Sequence, residues 1–223
     1  AKKGGEVWIG GPGVSCGYYD PAANGLKKGV PSNKMESKTK EDFFQEDGWS
    51  WFKTGDIGSW TDRGCVKIVD RKKNIFKLSQ GEYVAPEKIE NVIIQSLLVA
   101  QAFVYGDSLQ SALVAVLVPD EDTVRHMLDK SGDAGLAKSS FADICKSDKL
   151  KTMIMEEIKK VAKTNGLHGF EVPKDIYLDS EPFSVDNGLL TPTFKLKRQQ
   201  ARDKYEKQIE SMYAGLPKPK SNL

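Results

Sequence analysis

Residues 71–90 read RKKNIFKLSQGEYVAPEKIE, and the texture of the chain changes across them. Three consecutive cations, Arg71, Lys72 and Lys73, come first. Gly81 then interrupts the run Leu78-Ser79-Gln80-Gly81-Glu82-Tyr83, and Pro86-Glu87 opens a helical pattern. Proline suits a first helical turn, where an N–H would find no intrahelical acceptor. Ile89, Val92, Ile93 and Leu97 recur at helical spacing, so the helix is expected to bury one face as far as Leu97. Taken alone, the stretch describes a solvated basic turn between two strands. Its Arg71 also offers a planar fork for hydroxyls or phosphate, and Gly81 permits a tight turn with exposed amides.

Upstream, short alternating segments are broken by turn residues. Val7-Trp8-Ile9 runs into Gly10-Gly11-Pro12-Gly13, Asp47-Gly48 precedes Trp49-Ser50-Trp51-Phe52, and Asp62-Arg63-Gly64 precedes Cys65-Val66-Lys67-Ile68-Val69. This spacing predicts small β-hairpins. Residues 27–40 are lysine-rich and aperiodic, which predicts a mobile loop or poorly ordered insertion.

Downstream, residues 99–105 and 112–118 read as two strands joined through Gly106-Asp107 and stopped by Pro119. Leu150, Met153, Ile154, Ile158 and Val161 form one helical stripe, and Ala201, Tyr205, Ile209 and Met212 another. The fold class expected is α+β: a short β-rich segment over 1–70, then a compact α+β domain over 74–213 with a small sheet flanked by helices. Pro217-Lys218-Pro219-Lys220 predicts a disordered tail over 214–223.

The bulk composition is that of an ordinary globular protein, with 39% hydrophobic and 29% charged residues. Thirty-three basic against 31 acidic side chains leave a net charge of +2, so no global field draws nucleic acid or an anionic membrane. Cys16, Cys65 and Cys145 are too dispersed for a disulfide framework or zinc site and read as reduced thiols of an intracellular protein. His126 and His168 stand without a partner motif, which points to surface or cap positions. The opening Ala1-Lys2-Lys3-Gly4-Gly5 lacks the apolar run of a signal peptide, and the apolar run 112–118 is far shorter than the roughly 20 residues of a membrane span.

Two further stretches carry chemistry. In Lys53-Thr54-Gly55-Asp56-Ile57-Gly58, an Asp after Gly at a strand end can accept hydrogen bonds from vicinal hydroxyls such as a ribose offers, although Gly-Asp turns are common without function. In NGLLTPTFKLKR, residues 187–198, turn residues present Lys195 just before a basic helix. A compact ammonium there can bridge two approaching anions, or equally touch a nucleic-acid phosphate.

In their order, TGD, DRKKN with its KLSQGEYVAPEKIE continuation, and LTPTFKLKR resemble the late motifs of the adenylate-forming enzymes. The phrases GEVWIGGPGVSCGYY (5–19), GWSWFKTGDIG (48–58) and NGLLTPTFKLKR resemble the eukaryotic long-chain fatty acyl-CoA synthetase branch most closely. The phosphate loop and the aromatic-Gly-x-Thr-Glu motif of that family are not found in this sequence, so the chain resembles the C-terminal third of such an enzyme. The acyl pocket and Mg2+ ligands would belong to the preceding part, and these residues alone are expected to be inactive.

The resemblance implies a fatty acid–CoA ligase using ATP, Mg2+ and coenzyme A, and passing through an acyl-adenylate. It implies that Asp56 and Arg71 bind the ribose, that Lys72 and Lys73 form the hinge (71–73), and that Lys195 assists adenylation. Ser79, Gln80 and Gly81 would line the pantetheine tunnel, with Lys77 serving the second half-reaction. The competing readings are a luciferase-like adenylate-forming oxidoreductase and a non-catalytic anion-binding module that uses the basic C-terminal helix. Fatty acid, ATP, coenzyme A and the preceding domain are the partners expected, and nucleic acid is not. A cytosolic site is expected, and attachment to a membrane stays open; Ser221-Asn222-Leu223 departs from the peroxisomal SKL signal at its middle residue.

Overall fold

A computed structural model describes residues 4–19 and 33–217, and the chain divides into two compact units, Ala1–Asn74 and Ile75–Leu223. In the first unit, β1 (Gly5–Gly10), β2 (Phe43–Glu46), β3 (Trp49–Trp60) and β4 (Val66–Arg71) form one antiparallel sheet. The long β3 pairs with β1 on one side; on the other, its first half pairs with β2 and its second half with β4. Asp47-Gly48 makes the β2–β3 turn and residues 61–65 the β3–β4 turn, as the spacing predicts.

Residues 33–42 depart from the expected loop. They form helix α1 (Asn33–Asp42), whose Lys40–Glu36 and Lys38–Asp42 pairs at one-turn spacing are 2.6 and 3.0 Å long. Such pairs, and not an apolar stripe, support this helix, which is why periodicity misses it. Residues 27–32 of that expectation lie outside the described residues.

The second unit begins with a hairpin, β5 (Phe76–Lys77) and β6 (Tyr83–Val84), followed by α2 (Pro86–Ile93). Its main sheet has the order β7 (Val99–Tyr105), β8 (Val114–Pro119), β9 (Asp175–Leu178), with β8 antiparallel to β7 and parallel to β9. Between β8 and β9 lie α3 (Glu121–Lys130), α4 (Ala134–Ala137), α5 (Phe141–Cys145), α6 (Asp148–Thr164) and a 3-10 turn, Gly169–Glu171. Helices α7 (Arg198–Lys204) and α8 (Glu206–Gly215) close the unit.

Every residue of β8 is buried. Side chains alternate across a strand, so Ala115 and Leu117 join α2, α3 and α6 in one core, while Val114, Val116 and Val118 join Phe183, α7 and α8 in another. A strand that is apolar on both faces needs a cover on each, and the helices supply it. The α+β class and the flanked small sheet are therefore as expected.

Four details differ. Helix α2 ends at Ile93, with Leu98 taking the core position and Leu97 left 82% exposed. Strand β9 is not among the expected strands: its alternating run, with Ile176 and Leu178 buried, is only four residues long, and it pairs parallel to β8. The second stripe is two helices, broken at Tyr205, where φ is −104° and ψ 16°. Of the tail expected over 214–223, the first residues are ordered, since α8 runs through Gly215 and Leu216 packs against the second core; 218–223 lie outside the described residues.

Cys145 is buried, which pushes its thiol up to about 11, whereas Cys16 and Cys65 are exposed. His168 occupies the N-cap of the 3-10 turn and His126 is exposed. No helix among the described residues is long and apolar enough to cross a membrane.

Candidate functional site

The TGD stretch lies inside β3 as a bulge. Thr54, Gly55 and Asp56 stand opposite Val7 alone, because the β1–β3 register passes from Trp8↔Lys53 to Glu6↔Ile57. Gly55 takes φ +71°, a left-handed conformation that glycine adopts without Cβ strain. The Thr54 hydroxyl donates to the Val7 carbonyl at 2.7 Å and receives the Asp56 amide at 3.1 Å, which pins the bulge. Bulges re-aim side chains, and here the result is a pairing of Asp56 with Arg71 on the neighbouring strand.

Arg71 Nε lies 2.8 Å from Asp56 Oδ1, and its Nη1 donates to the Thr54 carbonyl at 3.2 Å. Asp56 is half-buried and Arg71 exposed, so a planar donor fork and a carboxylate acceptor stand side by side at an open edge. The pair offers complementary groups for a diol: the carboxylate accepts from two hydroxyls, and the guanidinium donates to their oxygens.

Below them, the buried Asp70 accepts from the Arg71 amide at 2.6 Å and from the Asn74 side chain at 3.1 Å. Asp70 thus holds the turn 71–74, a role that sequence reading did not assign. Lys72 belongs to the same edge, its amide donating to Gly55 and its ammonium lying 3.0 Å from Glu6. Lys73 is exposed.

In the second unit, Lys77, Ser79, Gln80 and Gly81 share the β5–β6 hairpin. Gly81 adopts φ +96° and donates to the Leu78 carbonyl at 2.9 Å. The Ser79 amide donates to Gln110 O and the Gln80 amide side chain to Ser111 O, both at 3.0 Å, so the loop is stapled to residues 110–111. Gln110 and Ser111 carry no motif and were legible only in three dimensions. The Lys77 ammonium lies 5.6 Å from the centre of the Tyr83 ring, a cation–π placement.

Lys195 projects from a separate, tightly closed turn. Thr191 N–H donates to Lys195 O and Phe194 N–H to Thr191 O, each at 2.8 Å, and Lys195 N–H donates to Thr191 Oγ1 at 3.0 Å. Lys195 is exposed, and among the described residues its ammonium has neither an ion pair nor a hydrogen bond. No hydrogen bond or ion pair joins this turn to the β5–β6 loop among the described residues.

Three cations of the helix that follows have partners within the chain. Arg198 forks onto Glu90 at 2.9 and 2.5 Å, Arg202 lies over Tyr105, and Lys204 is 2.7 Å from Glu181. Arg198 is the half-buried member of the set, while Arg202, Lys204 and Lys207 remain exposed. Burial pushes the Glu90 carboxyl up to about 7, opposing the Arg198 guanidinium beside it.

Comparison with known proteins gives a consistent outcome. Residues 73–217 match the family model described as the AMP-binding enzyme C-terminal domain. Long-chain-fatty-acid–CoA ligase 6 of Rattus norvegicus is 45% identical over 214 residues, which are 96% of this chain and 28% of that protein. Fatty acyl-CoA synthetase B of Dictyostelium discoideum is 44% identical over 214 residues, 95% of this chain and again 28% of the relative. The chain thus spans little more than a quarter of the length of these curated relatives.

Among solved structures, the A domain of carboxylic acid reductase from Segniliparus rugosus, in complex with AMP and a co-purified carboxylic acid, is 32% identical with a TM-score of 0.73. It covers 97% of this chain, which covers 29% of it. O-succinylbenzoate coenzyme A synthetase from Bacillus subtilis, at 22% identity and TM-score 0.55 over 90% of this chain and 30% of its own, shares the fold.

Proposed function

The chain belongs to the AMP-binding enzyme C-terminal domain family, and from that premise we propose that it is the ribose-binding edge and lysine-bearing domain of an AMP-forming long-chain fatty acid–CoA ligase. The observation that carries this reading is the Asp56–Arg71 pair, set by the TGD bulge at 2.8 Å on adjacent strands. The pair matches the vicinal hydroxyls of a nucleoside, and the names of the relatives supply the acyl and coenzyme A chemistry.

The reaction begins when a fatty carboxylate attacks the α-phosphate of ATP. Two anions approach, and their repulsion inside a partly dry site is a barrier that a cation between them lowers. Lys195 is the cation assigned to that place, with its ammonium uncommitted among the described residues. Asp56 and Arg71 hold the ribose and so fix where the α-phosphate sits. Pyrophosphate leaves, and the thiol of coenzyme A then attacks the acyl carbonyl and displaces AMP. This second step needs no enzyme nucleophile, in keeping with a Cys145 thiol that burial keeps protonated.

The loop of Ser79, Gln80 and Gly81, with Lys77, is assigned to the pantetheine arm. Among the described residues no group of three or more His, Cys, Asp or Glu side chains is placed to hold a metal; the Mg2+ ligands are assigned to the part of the protein that precedes these residues, and no step here runs through the ion.

The full-length protein should catalyse pyrophosphate exchange into ATP that depends on a long-chain fatty acid, and then form acyl-CoA with AMP release. Exchange that fails with every long-chain fatty acid supplied would sink the ligase reading. Lys72 and Lys73 are assigned to the pivot between the steps. Lys73→Pro locks φ near −65° and pushes Lys72 towards extended backbone, so one half-reaction should fall by at least about tenfold while the other survives. Wild-type rates in both half-reactions would remove the pivot from this position.

A further inference from the structure

The turn that carries Lys195 is itself exposed, with Phe194 77% accessible, so its place depends on what holds its ends. On its entry side, Leu189 and Leu190 are buried in the second core, and Lys197 N–H returns to Leu189 O at 2.8 Å. On its exit side stands Arg198, the first residue of α7 and three positions beyond Lys195. Both guanidinium arms reach Glu90 on α2, Nη1 to Oε1 at 2.9 Å and Nη2 to Oε2 at 2.5 Å. Glu90 Oε1 also accepts from Val104 N–H at 2.8 Å. Strand β7 lies at the sheet edge, so this amide would otherwise have no ladder partner.

One carboxylate therefore joins α2, the edge of the sheet and the start of α7, across 108 residues of sequence. The two side chains are only 11% and 19% accessible. A buried ion pair is a poor source of stability, since desolvation offsets most of the attraction and apolar residues of similar volume often do better. A bidentate fork is instead directional, fixing a guanidinium in plane and in angle as a methyl group cannot.

We propose that Glu90 and Arg198 are positioning residues that hold the Lys195 turn in register with the sheet, so that the ammonium is presented at a fixed place for adenylate formation. The inference rests on the assignment of Lys195 to that step, and the pair touches neither nucleotide nor acyl group.

The test is Glu90→Gln in the full-length protein, with Arg198→Lys as the milder variant. The two half-reactions are assayed separately: adenylate formation from ATP and fatty acid, and thioester formation from supplied acyl-adenylate. Adenylation kcat should fall by about 10- to 100-fold with Glu90→Gln, with KM for ATP within about threefold, because a displacement of about 1 Å has effects of this size. Thioester formation should stay within about threefold. Arg198→Lys, which keeps the charge but loses the fork, should fall between wild type and Glu90→Gln. Parallel loss in both half-reactions would mark the pair as merely structural and overturn the proposal, as would unchanged adenylation.

A second readout is independent of activity. Hydrogen exchange in the full-length protein should accelerate at the amides of Thr191, Phe194, Lys195 and Lys197 in both variants, while α6 keeps its protection. Unchanged exchange at the turn, or acceleration spread equally over α6, overturns the clamp. If the wild-type protein forms no adenylate, the ligase reading fails and this exchange measurement still decides whether the pair holds the turn.

Discussion

Lys195→Ala in the full-length protein is expected to lower acyl-adenylate formation by about 100- to 1,000-fold, the size of effect seen when one preorganised group is removed from a developing charge. Thioester formation from supplied acyl-adenylate should change by less than about threefold, because the thiol meets an already activated carbonyl. The asymmetry is what makes the experiment informative. Lys195 is exposed, and its backbone, not its side chain, closes the turn through Thr191. Surface truncations of this kind shift stability by no more than about 0.5 kcal/mol, so unfolding would not account for the loss. Lys195→Arg should recover only part of the rate, since a planar fork does not reproduce a compact ammonium between two oxygens. Equal impairment of the two half-reactions by Lys195→Ala would remove the residue from the adenylation step.

Tyr205→Ala is expected to be the most damaging single truncation in the second core. Tyr205 is 1% exposed, lies at the break between α7 and α8, and packs against Tyr177 and Phe183. Its hydroxyl donates to Asp179 Oδ2 at 2.7 Å, and burial together with that carboxylate pushes the phenol well above its ordinary range. Emptying an aromatic site of this kind costs about 3–5 kcal/mol. Tyr205→Phe keeps the ring and removes only the donor to Asp179, which should cost about 1–3 kcal/mol. Urea unfolding of the two variants separates the contributions through their midpoints at constant slope. A Tyr205→Ala loss below about 1 kcal/mol would show that α7 and α8 are held elsewhere.

These expectations draw on different kinds of legibility. Leu150, Ile154 and Ile158 announce α6 because a helix that buries one face must repeat its apolar residues every three or four positions. The 33–42 helix makes no such announcement, since its supports are exposed charge pairs that a loop of the same composition would also contain. Leu97 continues the spacing of α2 and yet points to solvent, because helix ends are set by competing turns, and the chain bends at residues 94–98 to enter β7. The candidate site divides in the same way. TGD and the Arg71 cluster are contiguous motifs, and so is the Lys195 turn. Asp70, Gln110, Ser111 and the Glu90–Arg198 clamp act through partners that no local window holds together.

From sequence alone came the α+β class, the change of texture near residues 71–74, the residue types at the site and the resemblance that joins them. These are properties of local periodicity, turn chemistry and motif order, all carried by neighbouring residues. Only the tertiary structure decided that Asp56 faces Arg71 across a bulge, that β8 is covered on both sides, and that the turn bearing Lys195 is anchored through a buried carboxylate on α2. Glu90 in a helix and Arg198 at a basic helix start each look like solvated charges when read along the chain. Their pairing depends on packing α2, β7 and α7 together, a contact between segments distant in sequence that hydrophobic burial brings about and that no one-dimensional pattern encodes.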